Sequence, residues 1–220
     1  MHDHVTFFPK NTEENRVRVY AEINKQIAEE YAPKRQKNAN FYASRRGGKP
    51  PSLFDSWYYK CAEFGASMFL TEQYDLPVVK PDTKIYSSRQ KNWNCDLPYF
   101  NVDFLGTFHE NLRFHTKSAN AKTIKSGFRE SFIFQLANKA GAGGKDSIIT
   151  EGNKDDYCIF MYVPYTDIVE GDIELYVRAI VPWLYIKENN LLENLKKPEF
   201  LGKKVCVYSE TLKKRVLVAA

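Results

Sequence analysis

The stretch Tyr99-Phe100-Asn101-Val102-Asp103-Phe104-Leu105-Gly106-Thr107-Phe108-His109-Glu110-Asn111-Leu112-Arg113-Phe114-His115-Thr116-Lys117 carries the most structural information in the chain. Its aromatic and β-branched ends predict two strands, Tyr99 to Leu105 and Leu112 to Lys117. The short Gly106 to Asn111 connection predicts an antiparallel hairpin between them. Residues two apart on a strand share a face, so His115 and Lys117 project together while Thr116 points away. Asp103, between Val102 and Phe104, reaches the same neighbourhood if the strands pair. A carboxylate, an imidazole and an ammonium at one end of a sheet suit a divalent cation, an activated water and charge stabilisation at a phosphate. The same residues also suit a cross-strand Asp103–Lys117 ion pair beside an ordinary half-buried His115.

Upstream, Asp55 to Tyr74 reads as a helix whose Trp57, Tyr58, Phe64, Met68, Phe69 and Leu70 predict burial. Glu63 sits in its middle. A carboxylate there is costly unless it is paired with a lysine or serves a metal. Thr83 to Ser88 predicts a further strand. Asn11 to Tyr31 predicts a helix, with Val17, Tyr20, Ala21, Ile23, Ile27 and Ala28 at helical spacing. The basic stretches Ala32 to Lys37 and Ser44 to Pro51 read as loops, either solvated linkers or phosphate-contacting arms.

Downstream, Ser126 to Lys139 predicts a helix with Phe128, Phe132, Ile133 and Leu136 on one side, followed by a Gly-rich loop, Ala140 to Lys145. Tyr157 to Val163 is an unbroken apolar run, the pattern of a central strand buried on both faces. Ile173 to Trp183 and Val205 to Tyr208 predict strands, and Asn189 to Lys197 a short helix. The expected architecture is α/β (α+β): a central mixed sheet with an antiparallel three-strand meander, flanked by helices. Residues 1–54 are expected to pack as a helix and basic loop on a core spanning 55–220, one domain overall.

Composition narrows the function classes. The 220 residues are 43% hydrophobic and 15% aromatic, enough for a sizeable core, and the net charge of +5 favours an approach to phosphates. Met1-His2-Asp3-His4 opens no signal peptide, and no run nears the roughly 18 apolar residues of a membrane span. Cys61, Cys95, Cys158 and Cys206 form no CxxC pair, so they read as reduced thiols of a cytoplasmic protein. His2 and His4 could chelate, but read as a frayed terminus. The Gly-rich loop lacks the GxxxxGK[ST] pattern, and no GxSxG or HExxH occurs. Tyr86, Trp93, Tyr99 and Phe100 near Arg89 and Lys91 could stack on bases, although core packing is the plainer reading.

The order of elements, with Val-Asp-Phe-Leu-Gly (102–106) on one strand and Phe-His-Thr-Lys-Ser (114–118) on the next, resembles the PD-(D/E)XK nuclease superfamily. The resemblance spans roughly Asp55 to Val163. It implies a restriction-endonuclease-like fold and a Mg²⁺- or Mn²⁺-dependent nuclease acting on DNA, with RNA the alternative substrate, and an endonuclease of restriction, phage or mobile-element type. It implies Asp103 as the principal metal ligand, Lys117 as the catalytic lysine, Glu63 as the helix acid and Gln135 or Glu130 as further polar residues. Duplex cutting implies a homodimer; no membrane partner is implied. The literal Pro81-Asp82 lies before the first strand, and His115 stands where the family has an acid. Three readings of that departure are open. His115 is itself a ligand; or the acid has moved to the following helix, as Glu130; or the site is degenerate and binds without cutting. A protein with no nucleic-acid role, built for other interactions, is the remaining alternative.

Overall fold

The computed structural model describes residues 5–8, 10–46, 51–85, 95–136, 146–195 and 204–219. It is a mixed α/β structure built on a mixed sheet in the order β1-β7-β6-β4-β3, with β2 also paired to β7. Its strands are β1 (Thr6–Phe7), β2 (Arg16–Val19), β3 (Leu97–Phe104), β4 (Thr107–Asn120), β6 (Asp156–Val163) and β7 (Ile173–Pro182). A second sheet has the order β5-β9-β8, from Ser131–Gln135, Lys204–Tyr208 and Glu193–Asn194. β3 and β4 are antiparallel, β4 and β6 parallel, β6 and β7 antiparallel.

β6 explains the layering. Its residues are buried on both faces, so both must be covered. Tyr157, Ile159 and Met161 join a core with Trp57, Phe69 and Leu70 of the helix α3 (Leu53–Tyr74). Cys158 and Phe160 join another with Phe132, Phe134, Val207 and Trp183, from β5, β9 and the short helix α6 (Trp183–Glu188). The Phe132 and Phe160 rings lie 4.6 Å apart. α3 starts at a capping box, in which Asp55 N–H donates to Ser52 Oγ at 3.0 Å and Ser52 N–H to Asp55 Oδ2 at 2.8 Å. It stops at Asp75, in the left-handed region at φ 54°.

Several sequence expectations hold: the helix over 55–74, the β3–β4 hairpin, the two-faced burial of β6, and strands β7 and β9. Others are corrected. Asn11 to Tyr31 is not one helix: Val17 and Val19 alternate inward on β2, which pairs β7, and helix begins only at α1 (Ala21–Gln26). The expected loop Ala32 to Lys37 is helical. α1 runs through a π turn (Ile27–Tyr31) into α2 (Ala32–Arg46); Pro33, which has no N–H to donate, follows directly on the π turn, where the regular hydrogen-bond ladder is already interrupted. Of the expected helix Ser126 to Lys139, the described residues 126–136 are not helical: the short α4 (Ala121–Lys125) ends there, and Phe132 and Phe134 alternate inward on β5, while 137–139 lie outside the described residues. Of the expected helix Asn189 to Lys197, the described residues 189–195 give a turn and β8, the helix lying just before them, and Lys196 and Lys197 lie outside the described residues. Thr83 to Ile85 is irregular. Gly47 to Pro50, Tyr86, Trp93, Arg89, Lys91, the Ala140–Lys145 loop, His2 and His4 lie outside the described residues. Residues 1–54 do more than pack on the core, since β1 and β2 complete the main sheet.

Among the described residues no helix is long and apolar enough to cross a membrane. The remaining helices are α5 (Ser147–Glu151) and α7 (Ser209–Ala219). Gly65 sets how closely α3 approaches the sheet: a Cβ there would stand 2.8 Å from Leu175 Cδ1 and 3.3 Å from Met161 Cε, both buried. Gly65→Val is therefore expected to overpack this contact and lower unfolding free energy by about 1–3 kcal/mol. Denaturant unfolding with an unchanged m-value checks it.

A candidate charged site at the open edge of strand β4

The β3–β4 hairpin turns through Leu105 and Gly106, both at positive φ (52° and 74°), which is a two-residue type I′ turn. That tight turn fixes the register. Asp103 pairs with Phe108 and Leu97 with Phe114. Asp103 is exposed beside the turn, and no hydrogen bond or ion pair joins it to His115 or Lys117. The expected convergence of Asp103 with those residues does not form. The carboxylate reaching that position is Asp96, one residue before β3 begins.

β3 stops covering β4 at Phe114, and beyond it the β4 edge is open on that side. Asp96 closes the first gap. Its N–H donates to Phe114 O at 3.1 Å, and its Oδ2 accepts from the Thr116 N–H at 2.7 Å. Asp96 is half-buried, and its charge acts on Lys60 and Glu63 of α3 and on Lys117 of β4.

On the α3 side, Lys60 is paired with Glu63 and donates to the Asp82 carbonyl at 2.6 Å. Burial pushes Glu63 up to about 7, with the Asp96 and Asp82 charges adding to the rise against the opposing Lys60. Burial alone would lower Lys60, but Glu63, Tyr31 and Asp96 outweigh it and raise its pKa. Glu63 thus lies in the cluster, held by its neighbour one helical turn away.

On the other side, Lys117 and His115 share a face as the alternation predicts, but each has its own carboxylate. Lys117 Nζ lies 2.9 Å from Asp146 Oδ2 and 4.9 Å from the Phe134 ring centre. Burial would lower Lys117, and Asp146 and Asp96 more than reverse that. Asp146 Oδ2 also accepts the Gln135 N–H at 2.9 Å, so Gln135 belongs to the cluster, and its Oε1 is buried with no hydrogen-bond partner. His115 Nε2 lies 2.9 Å from Asp156 Oδ1, while Asp156 Oδ2 takes Arg113 at 2.6 Å and the Asn153 N–H at 2.8 Å. Burial alone would raise Asp156; these three donors instead hold it below the usual carboxylate range. His115 is therefore engaged by Asp156. Glu130 is elsewhere, 2.8 Å from Arg178 Nε of β7, and leaves the candidate set.

Sequence reasoning missed Asp96, Asp146, Asp156 and Lys60. A signal for Asp96 was present: a glycine in second place of a two-residue turn, Leu105-Gly106, makes position 96 the partner of His115 by counting back along the strand. Among the described residues no three His, Cys, Asp or Glu side chains already stand together as a metal site. Compared with protein-family models, with curated proteins and with solved structures, the chain matches none of them.

Two outcomes follow from this geometry. Glu63 has a folded pKa near 7 against about 4.3 for a free glutamate, so its contribution to stability is full below about pH 4 and is lost as pH rises through about 7. Between pH 5 and 8 the wild type should lose stability relative to Glu63→Gln; parallel unfolding curves across that range would contradict the assignment. Asp146→Asn leaves Lys117 without its nearest counter-charge. It should cost roughly 2 kcal/mol, below the usual range for a broken buried pair because both side chains keep some exposure. Urea unfolding at pH 7 measures it.

Proposed function

We propose that this chain is a divalent-metal-dependent nuclease hydrolysing phosphodiester bonds in DNA, with Asp96 in the role first expected of Asp103. The observation that carries the reading is the position of Asp96. It sits at the β3 end opposite His115, with Glu63 on the preceding helix and Lys117 on the adjoining strand all within reach of its charge. The element order supports it too: helix α3, the β3–β4 hairpin, a crossover, then β6 parallel to β4. The resemblance implies helix, three-strand meander, helix, strand; the described residues match it in the first helix, a two-strand hairpin with an acid opposite the x-Lys strand, and the last strand, but not in the meander's first strand or in a long second helix.

The donors suit Mg²⁺ or Mn²⁺. Asp96 and Glu63 offer hard carboxylate oxygens on the α3 side, while Asp146 and the unpartnered Gln135 Oε1 stand on the other side with Lys117. Mg²⁺ is usually held by one or two carboxylates with waters and substrate phosphates, so Asp96 with Glu63 would suffice. A bound ion would supply charge neutralisation at the phosphate and a more acidic water. The chain's own groups do the rest. Lys117, kept charged by Asp146 and Asp96, offsets the charge that develops on the phosphate. Glu63, lifted to about 7 without metal, must lose its proton to serve as a ligand, so metal binding and rate would rise together through neutral pH. Lys60 holds Glu63 in place. His115 and Asp156 brace β4 from below. A second reading, a DNA-binding protein of the same fold without chemistry, is favoured by one observation: the family's acid position is His115, already tied to Asp156.

Incubation with plasmid, linear and single-stranded DNA in Mg²⁺ and Mn²⁺ tests the proposal. The wild type should cleave at least one substrate, with a rate rising through about pH 7, and Lys117→Ala should lower the rate at least a hundredfold. Binding without cleavage in either metal would leave the second reading; equal cleavage by Lys117→Ala would defeat the catalytic assignment.

A further inference from the structure

Between Tyr31 and Phe54 the chain has six basic residues, Lys34, Arg35, Lys37, Arg45, Arg46 and Lys49, and no Asp or Glu. The first of them stand on α2. Lys34, Lys37 and Phe41 follow helical spacing on one face, and all three are exposed, Phe41 to 50%. Ala32, Arg35, Gln36, Asn38 and Ala39 are buried or half-buried, so the helix packs on another side. Among the described residues no carboxylate pairs with Lys34 or Lys37.

α2 also leads to the charged site. It grows out of the π turn that ends at Tyr31, and Lys60 Nζ stands 4.8 Å from the Tyr31 ring centre. A cleft of about 90 Å³ joins Lys34 and Glu30 to Tyr31 and Thr83. Thr83 follows Asp82, whose carbonyl holds Lys60. Lys34 at the start of the stripe thus lines a cleft that also holds Tyr31, the ring against which Lys60 stands.

We propose that α2 is a strand-binding arm: Lys34 and Lys37 contact successive phosphates of a single-stranded nucleic acid, a base stacks on Phe41, and the strand runs through the cleft toward Lys60 and Glu63. The chemistry favours this partner. At 1.5 Å rise per residue, Lys34 to Phe41 spans about 10 Å, room for a short run of nucleotides. An exposed aromatic among ammonium groups is a stacking platform that a paired duplex cannot use. A membrane surface would need an apolar helix face, and this exposed face offers one aromatic only. The arm deepens the nuclease reading by naming the route of the substrate, but binding by α2 does not require cleavage.

Fluorescence anisotropy in EDTA tests it on the full chain, with a labelled 20-nucleotide single strand, the matching duplex and anionic phosphatidylserine vesicles as probes. Lys34→Ala/Lys37→Ala should weaken single-strand binding at least tenfold at low salt. It should also flatten the slope of log K against log salt by about 1.4, since each phosphate contact on a single strand contributes about 0.7. The control Lys154→Ala/Lys187→Ala, equal in charge change, should leave both nearly as in wild type. Phe41→Ala should weaken single-strand binding at least about fivefold and leave the duplex unaffected. Equal slopes for the two double variants, no single-strand binding by wild type, or tighter binding to vesicles than to the strand would each overturn the proposal. If Lys34→Ala/Lys37→Ala binds as wild type and cleavage persists, the arm fails and the nuclease stands. If the arm binds and no cleavage occurs, the nuclease fails and the arm stands.

Discussion

Strand β6 has no polar face between Tyr157 and Met161, and both of its sides must stay dry. A sheet strand in that condition needs a layer on each face. α3 supplies one. The β5-β9-β8 sheet with α6 supplies the other. β4, paired parallel to β6, inherits the same two environments. Its Leu112 and Phe114 meet the α3 core, but Arg113, His115 and Lys117 face the second layer. Two cations and an imidazole on a covered face are expensive unless each finds a polar partner. The fold answers with Asp156 for Arg113 and His115, and Asp146 for Lys117.

The candidate site follows from how β4 then loses its other neighbour. β3 ends at Leu97, the Thr116 N–H would be left open, and Asp96 takes it. A carboxylate is thereby fixed at a sheet edge, between a helix that carries Lys60 and Glu63 and a strand that carries Lys117. Charges of both signs, partly buried and mutually dependent, shift one another: Glu63 is lifted to about 7 while both lysines are held protonated. Such displaced titration at a sheet edge is a feature that catalytic sites share with structural ion networks. The functional proposal rests on the arrangement of Asp96, Glu63 and Lys117 together with the basic arm beside them.

Periodicity made the long elements legible. The apolar run of β6, the buried stripe of α3 and the alternation of β3 and β4 each specify one element with little competition. The short and basic segments were not legible in this way. Val17 and Val19 match a helix stripe as well as a strand face, and only pairing with β7 selects the strand. Phe132 and Phe134 read as helical beside Phe128, but β9 draws them into a sheet. Lys34, Arg35 and Lys37 look like a loop by composition, yet helix propensity and packing on α3 carry the helix through them. For the site, face alternation placed His115 and Lys117 together. The error lay in the turn. With the turn centred at Gly106 to Asn111, Asp103 faces Phe114; with the turn at Leu105-Gly106, Asp96 comes opposite His115 and Asp103 is left exposed. Asp146 and Asp156 could not be found from spacing, because they arrive from another part of the chain.

The central claim is that the working carboxylate is Asp96. The most direct measurement compares Asp96→Asn and Asp103→Asn in one cleavage assay with Mn²⁺, after both variants are shown to be folded. The account predicts that Asp96→Asn loses cleavage while Asp103→Asn retains the wild-type rate. Loss of cleavage in Asp103→Asn with Asp96→Asn unaffected would contradict it.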